Sequence, residues 1–174
     1  MPAPVVLLDR DGVLNVDRPD YVRTPSELVL LPGVAAALRD LRARGYRALV
    51  ITNQAGVGRG LVTAATLTAI HTRLRELVAA AGGAIDGIYV CPHRPEDGCP
   101  CRKPKPGLIE RARAEWGFEP RDTWFVGDSA RDVEAARAAR VRPALVRTGH
   151  RDYEPTPGDG VAAFDDLAAF VAAL

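Results

Sequence analysis

A doubly wound, Rossmann-like α/β fold with a mostly parallel sheet is what this sequence predicts, and three observations predict it. Short apolar runs alternate with longer stretches in which apolar residues recur at helical spacing. The short runs are apolar throughout rather than alternating, as strands covered by helices on both faces must be. Polar residues follow three of them directly, as Asp9 and Asp11, Thr52 and Asn53, and Asp128. Sheets of this class place their ligands at the carboxyl ends of the strands.

Val5–Leu8 reads as the first strand. Pro32-Gly33 opens a helical stretch with Val34, Leu38 and Leu41 on one face, and Gly45 stops it. Ala48–Ile51 is the second strand, followed by a glycine-rich loop with Gly56, Gly58 and Gly60. Thr63 is placed to cap a helix whose apolar face is Leu67, Ile70, Leu74, Leu77 and Val78. A third strand, Ile88–Val90, runs into Cys91. Pro106 suits the first position of a helix reaching Trp116. Thr123–Val126 is a fourth strand, a helix follows to Arg140, and Ala144–Val146 is a fifth strand. Tyr153–Gly160 reads as a surface loop, and Phe164–Leu174 as a closing helix. With no repeat, low-complexity tract or linker, residues 1–174 read as one domain.

Composition narrows the function. The 23 Lys and Arg balance 22 Asp and Glu to a net charge of +1, which argues against a dedicated nucleic-acid or membrane-surface binder. No apolar run approaches the roughly 20 residues that span a bilayer, and the first residues lack the basic and apolar regions of a signal peptide. The expectation is a soluble cytoplasmic protein, a monomer by default, acting on a small molecule.

Asp9-Arg10-Asp11-Gly12 follows the first strand. Two carboxylates at this spacing converge on a cation if the turn permits, and Asp128 adds a third from another strand end. Oxygen ligands of this kind favour a hard cation such as Mg²⁺. The chain has only two lysines, Lys103 and Lys105, and otherwise uses arginine. A lysine kept under that bias reads as a compact charge for a phosphoryl oxygen. A carboxylate nucleophile, a carboxylate acid/base, a cation, a hydroxyl and a lysine suffice for phosphoryl transfer. An isolated D-x-D also occurs as a plain turn.

All three cysteines, with one of the three histidines, lie in CPHRPEDGCPC: Cys91, His93, Cys99 and Cys101. An odd, local set of thiols makes a poor disulfide framework, whereas three thiolates and an imidazole complete a tetrahedral shell for structural Zn²⁺. Free thiols in a proline-stiffened loop are the competing reading. A zinc ion here would fix Arg102 and Lys103, which follow the last ligand.

The order of strand-DRDGV, strand-TNQ, Lys103 and strand-GDSARD resembles the haloacid dehalogenase superfamily, over Val5 to about Asp132. The CPH…C-x-CRKP loop narrows the resemblance to its histidinol-phosphatase-like branch. That resemblance implies an aspartyl-phosphate mechanism with Asp9 as nucleophile and Asp11 as acid/base. Mg²⁺ would sit on the carboxylates of Asp9 and Asp128 and the main-chain carbonyl of Asp11. Thr52 and Lys103 would hold the phosphoryl group, and Asp132 would order the fourth-motif loop. Val13 stands where the family often has threonine, a position to which no chemistry is assigned. About twenty residues separate Gly12 from the first helix, so the expected type is capless, with a zinc-binding loop.

Members of the branch act on D-glycero-D-manno-heptose 1,7-bisphosphate or on histidinol phosphate. NVDRPDYV and TNQAGVGRG resemble the loops of the heptose-acting members. The implied activity is removal of the 7-phosphate in nucleotide-heptose synthesis, with Asp17, Tyr21, Asn53, Gln54 and Arg102 meeting the substrate. Arg59 is left undecided, and His71 and His150 are expected to be structural or exposed. Histidinol phosphate is the alternative substrate. From another class, a non-catalytic zinc-stabilised binding module or phospho-acceptor would also display these residues.

Overall fold

The computed structural model describes residues 3–174. Six strands form one sheet: β1 (Val5–Leu8), β2 (Arg47–Asn53), β3 (Gly87–Cys91), β4 (Trp124–Gly127), β5 (Arg142–Val146) and β6 (Ala162–Phe164). Their order is β3-β2-β1-β4-β5-β6, and all five pairings are parallel. Chain order reverses between β1 and β4, so the crevice outside their carboxyl ends is the switch point. Asp9 and Asp128 stand there.

The apolar runs are explained by burial on both faces. Val6 and Leu8 pack with α1 (Val34–Ala43), α3 (Ala64–Ala80) and α6 (Leu167–Ala173), while Val5 and Leu7 pack with α4 (Gly107–Trp116) and α5 (Ala130–Ala138). At about 25 cal/mol per Å² of apolar surface buried, such strands contribute to the core on both faces of the sheet. The helices begin where side chains satisfy free amides. Thr63 Oγ1 accepts from Thr66 N at 3.0 Å, and Asp166 Oδ1 from Ala169 N at 2.8 Å.

Three local expectations are corrected. The glycine-rich stretch is not all loop, since Ala55–Gly58 forms a single helical turn, α2. Gly58 answers to close approach: its N donates to Pro92 O at 2.9 Å, and a Cβ there would stand 2.7 Å from that oxygen. Pro106 precedes α4 rather than starting it. Phe164 ends a sixth strand instead of opening the last helix, which starts at Leu167 behind its Asp166 cap. That strand is three half-buried residues at the sheet edge, too short to impose a pattern on the sequence. The segment from Gly12 to α1 contains one short 3-10 turn, Pro25–Glu27.

Candidate active site

Asp9 leaves β1 with its amide donating to Val126 O at 2.9 Å, which ties it to β4. Lys103 Nζ lies 2.9 Å from Asp9 Oδ1 and 2.7 Å from Asp132 Oδ1, and donates to Ile51 O at 3.0 Å. The lysine backbone is gripped by Asn53, whose Oδ1 accepts from Lys103 N at 3.0 Å while its Nδ2 donates to Lys103 O at 3.1 Å. Asn53 lines the cleft, but its amide is engaged in holding the lysine.

Asp132 orders the loop after β4. Its Oδ2 accepts from the amides of Asp128 and Ser129, at 3.0 and 3.2 Å, and from Ser129 Oγ at 3.0 Å. Asp128 is 4% exposed, and its Oδ2 accepts from His150 N at 2.7 Å. The His150 ring contacts that oxygen at 3.4 Å and Asp17 Oδ2 at 3.1 Å. His150 therefore belongs to the cleft, as sequence reading did not foresee; it is brought there from beyond β5 by a contact 22 residues long.

Asp11 is held on every side. Arg10 donates to its Oδ1 from Nε at 3.2 Å and Nη2 at 2.8 Å, and Asn15 Nδ2 donates to the same oxygen at 2.9 Å. Gln54 Nε2 reaches Oδ2 at 2.8 Å and Thr52 Oγ1 at 2.9 Å. Thr52 is fully buried beneath Gln54 and is not part of the cleft surface. Among the expected substrate contacts, Asp17, Tyr21, Asn53, Gln54 and Arg102 all line one cleft with Asp9, Asp11, Lys103 and Asp128. Arg18, Arg59 and Arg131 line it too, and Arg18 and Arg131 carried no sequence signal.

Charge is unevenly compensated. Burial pushes the Asp9 carboxyl well above the usual value, against the pull of Lys103, because Asp132 shares that ammonium and adds its own repulsion. Burial, and next the charge of Asp132, push Asp128 up to about 7. Burial would likewise raise Asp132 and Asp11, but Lys103 with the Asp128 and Ser129 donors offsets it at the first, and Arg10 with the Asn15 and Gln54 amides at the second, so both are lowered. Lys103 is raised: burial opposes its charge, and Asp132 and Asp9 more than offset that. Four carboxylates thus face two buried cations, Lys103 and Arg10.

That excess fits a hard divalent cation. Oxygen atoms of Asp9, Asp128 and Asp132 lie within 4.8 Å of one another. Space beside Asp128 exists only because residues 12 and 149 are glycines, since a Cβ on either would overlap the carboxylate. With Asp132 committed to Lys103 and the loop amides, Asp9 and Asp128 are the carboxylates left for a metal.

The second cluster sits at the end of β3. Cys91, Cys99 and Cys101 are unbridged. Their sulfurs lie 3.1 to 3.6 Å apart, and His93 Nδ1 is 3.6 Å from Cys91 Sγ and 3.3 Å from Cys101 Sγ. Tetrahedral zinc with bonds near 2.3 Å sets sulfurs about 3.8 Å apart, so the four donors already approximate the shell. Arg102 Nη1 donates to His93 O at 3.3 Å, joining this loop to the cleft.

Residues 4–140 match the haloacid dehalogenase-like hydrolase family. A relative from Pseudomonas aeruginosa, named D-glycero-beta-D-manno-heptose-1,7-bisphosphate 7-phosphatase, is 46% identical over 100% of this chain and 99% of its own. A Mycobacterium bovis relative, named the 7-phosphatase of the alpha anomer, is 41% identical over 97% of this chain and 90% of its own. Among solved structures, a D,D-heptose 1,7-bisphosphate phosphatase from B. bronchiseptica, complexed with magnesium and phosphate, superposes with a TM-score of 0.92. It is 38% identical, over 98% of this chain and 97% of that one. Among the described residues no helix is long and apolar enough to cross a membrane.

Proposed function

Because the chain belongs to the haloacid dehalogenase-like hydrolase family and is a phosphatase, we propose that it removes the 7-phosphate of D-glycero-D-manno-heptose 1,7-bisphosphate. The observation that carries the substrate is the cleft itself. It joins a carboxylate and lysine reaction centre to Arg18, Arg59, Arg102 and Arg131, cations suited to a second phosphate. Histidinol phosphate has no second phosphate to occupy them. The product fits nucleotide-heptose synthesis, a cytoplasmic setting.

Asp9 attacks phosphorus while the bond from phosphorus to the sugar C7 oxygen breaks, and Asp11, which takes up a proton against the pull of Arg10 before this step, gives it to that leaving oxygen. Water then attacks the aspartyl-phosphate, Asp11 takes back a proton, and inorganic phosphate leaves with Asp9 restored. Lys103, fixed by Asn53 and Asp132, neutralises the phosphoryl oxygens. Asp17 and Tyr21 border the sugar end, with Gln54 and Arg102. Magnesium on Asp9, Asp128 and the Asp11 carbonyl offsets the carboxylate excess and polarises the phosphoryl group.

The test is phosphate release with Mg²⁺ on both anomers of the heptose bisphosphate and on histidinol phosphate. A kcat/KM preference for either heptose anomer of about a hundredfold, roughly 2.7 kcal/mol, supports the proposal. The reverse preference reassigns the substrate and leaves the reaction class intact.

Cys91, His93, Cys99 and Cys101 would hold a structural zinc, which would position the segment leading to Lys103 and take no part in bond making. One zinc per chain is expected by elemental analysis. Cys101→Ser is expected to lose that zinc and about tenfold or more in turnover, the range for disturbed support of a metal site. Full activity in a zinc-free preparation would sink this role.

A further inference from the structure

Arg10 is among the largest fully buried side chains of the protein, at 1% exposure. Taking a guanidinium out of water costs several kcal/mol, and a turn between two aspartates does not require one. Its contacts show what it holds. Nε and Nη2 both point to Asp11 Oδ1, and Nη1 meets His71 Nε2 at 3.2 Å. Guanidinium only donates, so His71 accepts through Nε2 and carries its proton on Nδ1. Burial, and then the charge of Arg10, lower His71 to about 4, which keeps the ring neutral and able to accept. His71 comes from α3, where Ile70 and Leu74 anchor the helix in the core.

We propose that His71 and Arg10 are positioning residues for the acid/base carboxylate, His71 fixing the guanidinium and the guanidinium fixing Asp11. This rests on Asp11 acting as the acid. The restraint is asymmetric. Oδ1 takes three donors, two from Arg10 and one from Asn15, while Oδ2 takes only Gln54. Oδ2 is thus the oxygen left with capacity to pass a proton to the leaving alkoxide. Without the acceptor on α3, the guanidinium turns toward other partners and Asp11 loses a defined orientation.

The leaving group reads this out. A sugar alkoxide needs the proton in the transition state, whereas 4-nitrophenolate departs with little help. His71→Phe keeps the ring volume and removes the acceptor, and the ring borders a groove lined by Leu67, Thr68 and Thr72 that accommodates it. His71→Gln restores an acceptor at similar reach. His71→Phe is expected to lose roughly ten- to a hundredfold in kcat/KM on heptose 1,7-bisphosphate, part of the full acid/base contribution. On 4-nitrophenyl phosphate it loses less than about threefold, and His71→Gln recovers most of the sugar-phosphate rate. Equal losses on both substrates, or none on either, overturn the proposal. Asp11→Asn is the reference. If its loss is selective for the sugar phosphate while that of His71→Phe is not, the pair alone is wrong. If its own loss is uniform, Asp11 is not the acid, and both readings fall together.

Discussion

Asp9→Asn is expected to abolish phosphate release, by at least about four orders of magnitude in kcat, and to melt no lower than the parent chain. Loss of activity follows from chemistry, because an amide does not form the acyl phosphate that links the two half-reactions. Retained stability follows from the charge count. Asp9 is raised by burial and by repulsion from its neighbouring carboxylates, even 2.9 Å from Lys103. For an acid whose folded pKa is raised, the unfolded chain ionises first. Stability therefore falls as pH climbs from the usual carboxylate range toward the folded value. Asparagine removes that slope while leaving Lys103 paired to Asp132. Urea midpoints at pH 5 and pH 7.5, without added magnesium, should fall less with rising pH in the variant. Wild-type turnover in Asp9→Asn would remove the nucleophile assignment.

The parts of this molecule legible in sequence are those whose physics is local. A strand buried on both faces has to be apolar at every position, so β1, β2 and β4 announce themselves, and Asp9, Thr52 and Asp128 follow at their ends. The cysteine and histidine loop is equally local, since its four candidate donors fall between Cys91 and Cys101. Thr63 and Gly45 mark helix ends because capping depends on adjacent residues. Elements too short for a period stayed hidden: the single turn α2 and the three-residue edge strand β6.

Residues defined by distant partners were equally silent. Arg10 carries no reading of its own in the sequence, and its role emerges only when α3 brings His71 to it from 61 positions away. His150 reads as a loop histidine until the return from β5 sets its amide on Asp128. The resemblance of its loop makes Asn53 a substrate contact, and it does line the cleft, but the loop does not show that its amide is matched to the backbone of Lys103, 50 residues on. Such contacts are properties of the topology, and one sequence does not display them.

Lys103→Met should be the most damaging single change, through stability as well as rate. The lysine is 3% exposed, the one ammonium between Asp9 and Asp132. Removing one partner of a buried ion pair leaves an uncompensated charge, at a cost of about 3–5 kcal/mol. Loss of a single donor to the developing phosphoryl charge removes a further factor of roughly 10² to 10³ in kcat. The pH dependence identifies the cause. In the parent, Lys103 lowers Asp132, so that pairing contributes stability above the usual carboxylate range and loses it as pH falls through the depressed folded value. In Lys103→Met the same carboxylates become groups whose ionised form is disfavoured, and the variant gains stability as they take up protons. The difference in urea midpoint between parent and variant should therefore be widest near pH 7.5 and narrow on acidification toward pH 5. A difference that stays constant with pH would assign the loss to packing around the methylene stem, and the lysine would then owe its burial to shape. A narrowing difference ties the scarce lysine, the buried Asp132 and Asp9 into one charge-balanced unit, in which the residue proposed to bind phosphate also makes the carboxylate cluster foldable.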